Sequence, residues 1–301
     1  MHCKEIQDKG HLYTLVAACD PVPERRDRAA RQYGCRVYER IEDLVADPTV
    51  ELVDIATRSV DHYAHARLAL KAGKAVFLEK PMCATYAEAR RLAALAQRTK
   101  ARLYVRHNRR FEPAFLDIRE IMDAGLLGEV FEIKLRRVSY QRRDDWQTLR
   151  AYAGGQLLNW GPHLIDHGLR LLDAPPARVW SDLKRIAAAG DCEDHLKIIL
   201  TGRNHRIVDI EISGGAAIRE PEWTVWGTRG ALTCSGATLL LKHLDPRQRL
   251  APPKADPETP GLHPSRPVPL RWIEKTVPIN LRGDSVLGAI WVELYNAIRR
   301  R

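Results

Sequence analysis

The chain has 301 residues, 45% of them hydrophobic, and a formal charge of +10. That length exceeds a typical single domain, and that apolar content suffices for packed cores, so two domains sharing a cleft are expected and disorder is excluded. No apolar run is long enough to cross a bilayer as a helix, and the polar start MHCKEIQDKG lacks the apolar core of a signal peptide, so a cytoplasmic protein with no membrane partner is expected.

Six cysteines (Cys3, Cys19, Cys35, Cys83, Cys192 and Cys234) are scattered without a C-x-x-C pair, which argues against a zinc site or a disulfide framework. The positive charge suits an anionic partner such as a dinucleotide or an acidic substrate. The arginines, however, are spread along helices such as ERRDRAARQYG and the tail IRRR, not interleaved with aromatics, so nucleic-acid binding is not expected.

In chain order, Tyr13–Cys19 reads as a strand ending at Asp20-Pro21, followed by a helix over Glu24–Tyr33 and a short strand at Arg36–Tyr38. A short helix near Ile41–Ala46 precedes a strand at Leu52–Thr57. Asp61–Ala72 reads as a helix stopped by Gly73. Ala75–Leu78 is a continuous apolar run, the pattern of a strand covered on both faces, and it ends in Glu79-Lys80-Pro81. Thr85-x-x-Glu88 is a capping box that opens the next helix, and Arg102–Val105 closes the series. Strands alternating with helices predict a doubly wound parallel sheet. Ligands bind such sheets beyond the carboxyl ends of the strands, which is where Lys80 stands.

The second part reads differently. A helix over Pro113–Ala124 leads to a long strand at Val130–Tyr140. After the Gly154–Leu172 region, strands follow at Arg178–Ile186, Leu196–Leu200, Arg206–Ser213, Trp223–Trp226, Ala231–Cys234 and Thr238–His243. Strands in succession predict a large open antiparallel sheet. The proline-rich stretch Asp245–Pro269 reads as a mobile loop, and Ser285–Ile298 as an amphipathic helix.

The ordered set VAACDP (Val16–Pro21), DIAT (Asp54–Thr57), His62, AGKAVFLEKP (Ala72–Pro81), HNRRFEP (His107–Pro113), GGQLLNWGPHLIDH (Gly154–His167) and WGTRGAL (Trp226–Leu232) resembles the glucose–fructose oxidoreductase/inositol dehydrogenase family, also called Gfo/Idh/MocA. The resemblance spans nearly the whole chain. It implies a Rossmann-like NAD(P)-binding domain over residues 1–108 and an α/β substrate and oligomerisation domain over residues 109–301. It further implies a homo-oligomer through the open sheet and a sugar, cyclitol or related polyol as substrate. Matched by position, Lys80 lies beside nicotinamide and substrate, Thr57 and His62 match the cofactor-side loop, and His163 matches the catalytic histidine. Glu79 and Asn108 join the expected cofactor contacts, and Trp146 and Asn159 the expected substrate contacts.

The chemistry of these residue types agrees. Oxidising an alcohol removes a hydride from carbon and a proton from oxygen. A Lys ammonium can hold the oxygen in both states, and an imidazole titrates near neutrality. On a helix, Asn159 and His163 would share a face. These considerations assign His163 as general base, Lys80 as oxygen ligand and proton relay, and Asn159 as an orienting amide that, unlike an Asp, cannot stabilise imidazolium by charge. Asp20 can accept hydrogen bonds from a ribose, favouring NAD, or simply cap an Asp-Pro turn. Arg25 and Arg26 nearby leave NADP open.

Other features carry two readings. His163 and His167 have a metal-ligand spacing, but Asp166 projects elsewhere, so a metal-free site is expected. Trp146, Tyr152 and Trp160 suit either a sugar ring or a core. Arg109 and Arg110 suit a substrate anion or a structural role, and Arg106 is expected to narrow or charge the cofactor side of the cleft. The chain contains no G-x-G-x-x-G. Relative to the family it reads as short at both ends, with a central strand missing between Tyr13–Cys19 and Leu52–Thr57. The alternatives to a dehydrogenase are an NAD-dependent glycosidase of the same family and a non-catalytic sugar- or partner-binding paralogue.

Overall fold

The computed structural model describes residues 2–255, 257, 268–281 and 286–300. Its N-terminal elements are α1 (His2–Gln7), β1 (Ala17–Cys19), α2 (Pro23–Tyr33), β2 (Arg36–Tyr38), α3 (Ile41–Ala46), β3 (Leu52–Ile55), α4 (His62–Lys71), β4 (Ala75–Glu79), α5 (Tyr86–Thr99) and β5 (Leu103–Arg106). Then come α6 (Pro113–Asp123), β6 (Val130–Val138), α7 (Gln156–Asn159), α8 (Gly161–Leu172), β7 (Pro176–Lys184), β8 (His195–Gly202), β9 (Ile207–Ser213), β10 (Trp223–Gly227), β11 (Gly230–Ser235), β12 (Thr238–Leu244), β13 (Trp272–Pro278) and α9 (Val286–Arg299).

The N-terminal strands all pair in parallel but form two sheets, β1-β2 and β3-β4-β5. Burial explains the continuous apolar run of β4: Val76, Phe77 and Leu78 are covered from both sides. On one face Leu44, Ala66, Leu70, Leu92 and Leu95 from α3, α4 and α5 pack against Val53, Ile55, Val76 and Leu78. On the other face Phe77 meets Ile290, Trp291 and Leu294 of α9. Val16, Ala17, Cys19 and Tyr38 share the first of these cores, so the two sheets are joined by side chains and not by a strand. Thr85 makes the expected capping box at the start of α5.

The second sheet has eight strands in the order β13-β12-β11-β10-β6-β9-β8-β7. Its strands pair antiparallel as expected except at one place, where β6 and β9 run parallel. The reason is the helical crossing between β6 and β7. The chain leaves β6, returns through α8 on one face, and re-enters at the edge as β7; two reversals through β8 then bring β9 beside β6. Leu164, Leu171 and Leu172 of α8, with Phe115 and Ile118 of α6, cover the inner face. Gly168 permits that approach, since a Cβ there would lie 3.1 Å from both Ile210 Cδ1 and Val208 Cγ1.

Three expectations need adjustment. The first strand is only Ala17–Cys19, because Tyr13 turns away to stack edge-on against Trp291 and to donate from its hydroxyl to the Trp291 carbonyl at 2.8 Å. Strand β13 was not expected. It pairs along an edge with nearly every residue exposed, so no apolar alternation marks it. Much of the expected loop Asp245–Pro269, and the first residue of the expected helix at Ser285, lie outside the described residues.

Candidate active site

The tripeptide Glu79-Lys80-Pro81 at the end of β4 faces three ways. Glu79 turns beneath the sheet, Lys80 points across the cleft, and the Pro81 carbonyl is held by His62. The Lys80–Pro81 peptide is cis. Lys80 Nζ donates to the backbone oxygen of Asn159 at 2.9 Å and to its Oδ1 at 3.4 Å, joining the end of β4 to α7. Both residues line a cavity of about 160 Å³ with Thr57, Glu79, Trp146 and Gln147. The buried His62 has Nδ1 2.7 Å from the Pro81 carbonyl and Nε2 3.1 Å from the Thr57 carbonyl. It therefore clamps the two loops that frame the cavity.

Asn159 ends α7 and His163 lies in the first turn of α8, with Trp160 between the two helices and Pro162 at the start of the second. His163 is buried, packs edge-on against Trp160 with ring centroids 5.6 Å apart, and has no hydrogen-bond partner at Nδ1 among the described residues. Burial, together with the charges of Lys80 and Arg109, pushes its imidazole down to about 3. Burial also lowers Lys80, opposed by Glu79 and assisted by Arg109. Lys80 and His163 thus sit in one electrostatic environment, although His163 does not line the cavity.

His167 is a packing residue. Its Nε2 donates to the Arg109 carbonyl at 2.8 Å and its ring stacks on Phe115 at 4.3 Å. No group of three metal-ligating side chains occurs among the described residues. Arg110 is held by Asp166 through two bonds of 2.8 and 2.6 Å, and Arg109 by Glu112 at 2.9 Å. Arg109 and Arg137 both lie over the Trp160 ring.

Arg106 corrects another expectation. It lies wholly buried under the sheet and not in the cleft, bound to Glu79 at 2.7 Å and Glu5 at 2.5 Å. His2 joins this cluster, 2.7 Å from Asp54 and 3.3 Å from Glu79, while Trp291 Nε1 donates to Glu5 at 2.9 Å. Burial alone would lower the His2 imidazole, but its bonds to Asp54 and Glu79 raise it to about 9. Glu79 is held at about 2, its burial outweighed by His2 and Arg106. Asp54 was the available signal for this cluster, as a charge inside the apolar run LVDIAT. Gln147 was missed at the site itself, since no motif marks it.

The carboxyl ends of the strands offer groups for two parts of a nicotinamide dinucleotide. Asp20, after β1, suits a ribose, although Oδ1 accepts from Val22 N at 3.0 Å and Oδ2 lies 3.5 Å from Arg25. Thr57, whose hydroxyl is 3.1 Å from His65, and Lys80 suit the nicotinamide end. Asn108 opens the 3₁₀ turn Asn108–Phe111 after β5. The turn from β1 to α2 runs through Asp20, Pro21 and Val22 into Pro23, so it presents no glycine-rich cradle for a pyrophosphate. Neither Asp20 nor Asn108 lines the cavity.

Residues 1–107 match the family described as "Oxidoreductase family, NAD-binding Rossmann fold", and residues 115–233 match the Gfo/Idh/MocA C-terminal domain. An uncharacterized oxidoreductase of Escherichia coli, YdgJ, is 32% identical over 214 residues, 70% of this chain and 59% of that protein. The scyllo-inositol 2-dehydrogenase (NADP(+)) IolW of Bacillus subtilis is 34% identical over 156 residues, 51% of this chain and 44% of that protein. The chain thus matches less than two thirds of the length of these relatives. The crystal structure of an NAD-binding protein from Listeria innocua superposes with a TM-score of 0.74 at 27% identity, covering 93% of this chain and 79% of that one. The two family matches follow one another along the chain and take in most of it: the chain belongs to the Gfo/Idh/MocA family of oxidoreductases.

Proposed function

We propose that this chain exchanges a hydride between a nicotinamide dinucleotide and a secondary alcohol of a sugar, cyclitol or related polyol. The observation that carries this reading is the bond from Lys80, at the carboxyl end of a Rossmann-type strand, to Asn159 at the wall of a polar cavity. The similarity to an inositol dehydrogenase supports the substrate class. A bound dinucleotide supplies the hydride acceptor or donor. Asp20 would hold its ribose, and Thr57 and Lys80 its nicotinamide end.

The chain's own residues handle the oxygen and the proton. Lys80 Nζ donates a hydrogen bond to the substrate oxygen, and Trp146 offers a flat face to the ring. With the His163 imidazole pushed down to about 3, it is a weak base at neutral pH. We therefore pass the proton step from His163 to Lys80, whose ammonium is already disfavoured by burial. In alcohol oxidation the neutral Lys80 amine, which burial favours, accepts the O–H proton and passes it to solvent; in carbonyl reduction the Lys80 ammonium gives a proton to the oxygen and is left as the amine. His163 and Asn159 orient.

The exposed Trp180, Trp226 and Trp272 of the large sheet support a homo-oligomer through that face. Light scattering would report a multiple of the 34.2 kDa chain.

The test of activity titrates NAD and NADP, then runs a polyol panel followed by reduced-nicotinamide absorbance. Lys80→Met should lower kcat/KM at least ~100-fold, as expected for loss of a proton-transfer group. A Lys80→Met variant within threefold of the parent would sink the assignment, and redox-neutral turnover would favour glycoside cleavage instead.

A further inference from the structure

We propose that Gln147 is a positioning residue for Lys80: its side-chain carbonyl fixes the Asn159 amide, and the amide fixes the direction of the ammonium. The inference rests on the reading of Lys80 given above.

The chain of contacts is continuous. Gln147 Oε1 accepts from Arg143 Nη2 at 2.5 Å and from Asn159 Nδ2 at 3.1 Å. Arg143 is itself held by Asp145 through two bonds of 2.9 Å. A guanidinium has donors only, so the Gln147 amide cannot turn its NH₂ toward Arg143. Its oxygen therefore faces Asn159, which must answer with Nδ2 and leave Oδ1 toward Lys80. Oδ1 and the backbone oxygen of Asn159 then engage two of the three ammonium protons. The third is uncommitted among the described residues and is the one available to a substrate in the cavity.

The backbone beneath Gln147 is equally fixed. Its N–H donates to Asp145 Oδ1 at 2.9 Å, and its carbonyl accepts from Gly155 N at 2.8 Å. A Cβ on Gly154 would lie 2.5 Å from that carbonyl, so the paired glycines of GGQLLN are what let the segment sit against α7. The charged and titratable groups around the ammonium are Glu79 on its own strand, Arg109 from the turn after β5, and His163 from α8. None of them hydrogen-bonds Gln147, so a change at 147 reaches Lys80 through Asn159.

The test measures the pH dependence of Lys80 acetylation by mass spectrometry, which needs no turnover. Gln147→Leu removes the acceptor and frees Asn159 to flip, so the Lys80 midpoint should fall by about one pH unit. Gln147→Glu keeps the acceptor and adds negative charge, so its midpoint should hold or rise. Arg143→Gln, at a partly exposed position, should shift the midpoint in the same direction as Gln147→Leu by a smaller amount, with folding checked by circular dichroism. On an active substrate, Gln147→Leu should lose about tenfold in kcat with the dinucleotide KM unchanged. Midpoints that coincide in parent and Gln147→Leu, or a Gln147→Glu shift as large and in the same direction, overturn the proposal. A parent that turns over no polyol while the midpoints still separate would overturn the assigned reaction and leave the positioning role standing.

Discussion

Where α1 and α9 meet strands β3–β5, the contact contains His2, Glu5, Asp54, Glu79 and Arg106 beside Phe77 and Trp291. Where α8 meets β8 and β9, it is built from Leu164, Leu171, Leu172, Val208 and Ile210 around Gly168. The first contact depends on a complete set of charges, and Glu5 Oε1, Asp54 Oδ1 and Arg106 Nε already lack partners among the described residues. The second depends on volume and shape. Two helix-on-sheet layers of one chain are thus exposed to different kinds of damage.

The largest expected effect is that of Arg106→Leu, which takes the shared guanidinium away from the partly buried Glu5 and Glu79 and should cost about 3–5 kcal/mol in urea unfolding. An unchanged midpoint would mean that Trp291 and Phe77 alone hold the layer, and the contrast would fail. Gly168→Val should cost about 1–3 kcal/mol by overpacking against Ile210 and Val208. Thr85→Ala, which removes a cap remote from both layers, should cost only about 1 kcal/mol.

Acidity separates the charged layer from the buried histidines of α8 by sign, and the expected shifts in unfolding midpoint are smaller still. His2 is raised from 6.5 to about 9 when folded, so its contribution is full below 6.5 and is lost as pH rises through about 9. His163 and His167 are lowered to about 3 and about 4, so their contribution is present above 6.5 and is lost as pH falls through those values. His2→Gln should flatten the alkaline side of a stability–pH curve and leave the acid side intact. Flattening of the acid side by that substitution would break the contrast.

Much of this was legible in the chain. The apolar run Ala75–Leu78 marked a strand covered on both faces, Thr85 and Glu88 marked a helix start, and the motif order marked the fold. The charged layer was not legible, because Arg106, Asp54 and His2 are far apart in sequence and only tertiary packing brings them together. Arg106 was misplaced in the cleft for the same reason: strand register, not residue type, decides which side of a sheet a residue faces. The parallel β6–β9 pair escaped because strands adjacent in space here are separated by three helical or strand connections. At the site, the sequence singled out Lys80 and Asn159 separately, as an oxygen ligand and an orienting amide, and the fold joins them by a hydrogen bond, while Gln147 carried no pattern that a reading of spacing could find.

One short feature has wide reach. Glu79 anchors the charged layer, Lys80 meets Asn159, and the Pro81 carbonyl receives His62. Three adjacent codons therefore answer to thermal endurance, to the proposed turnover and to the clamping of two loops at once. A library randomised across them would show these traits rising and falling together, and improving one alone would have to begin elsewhere in the chain.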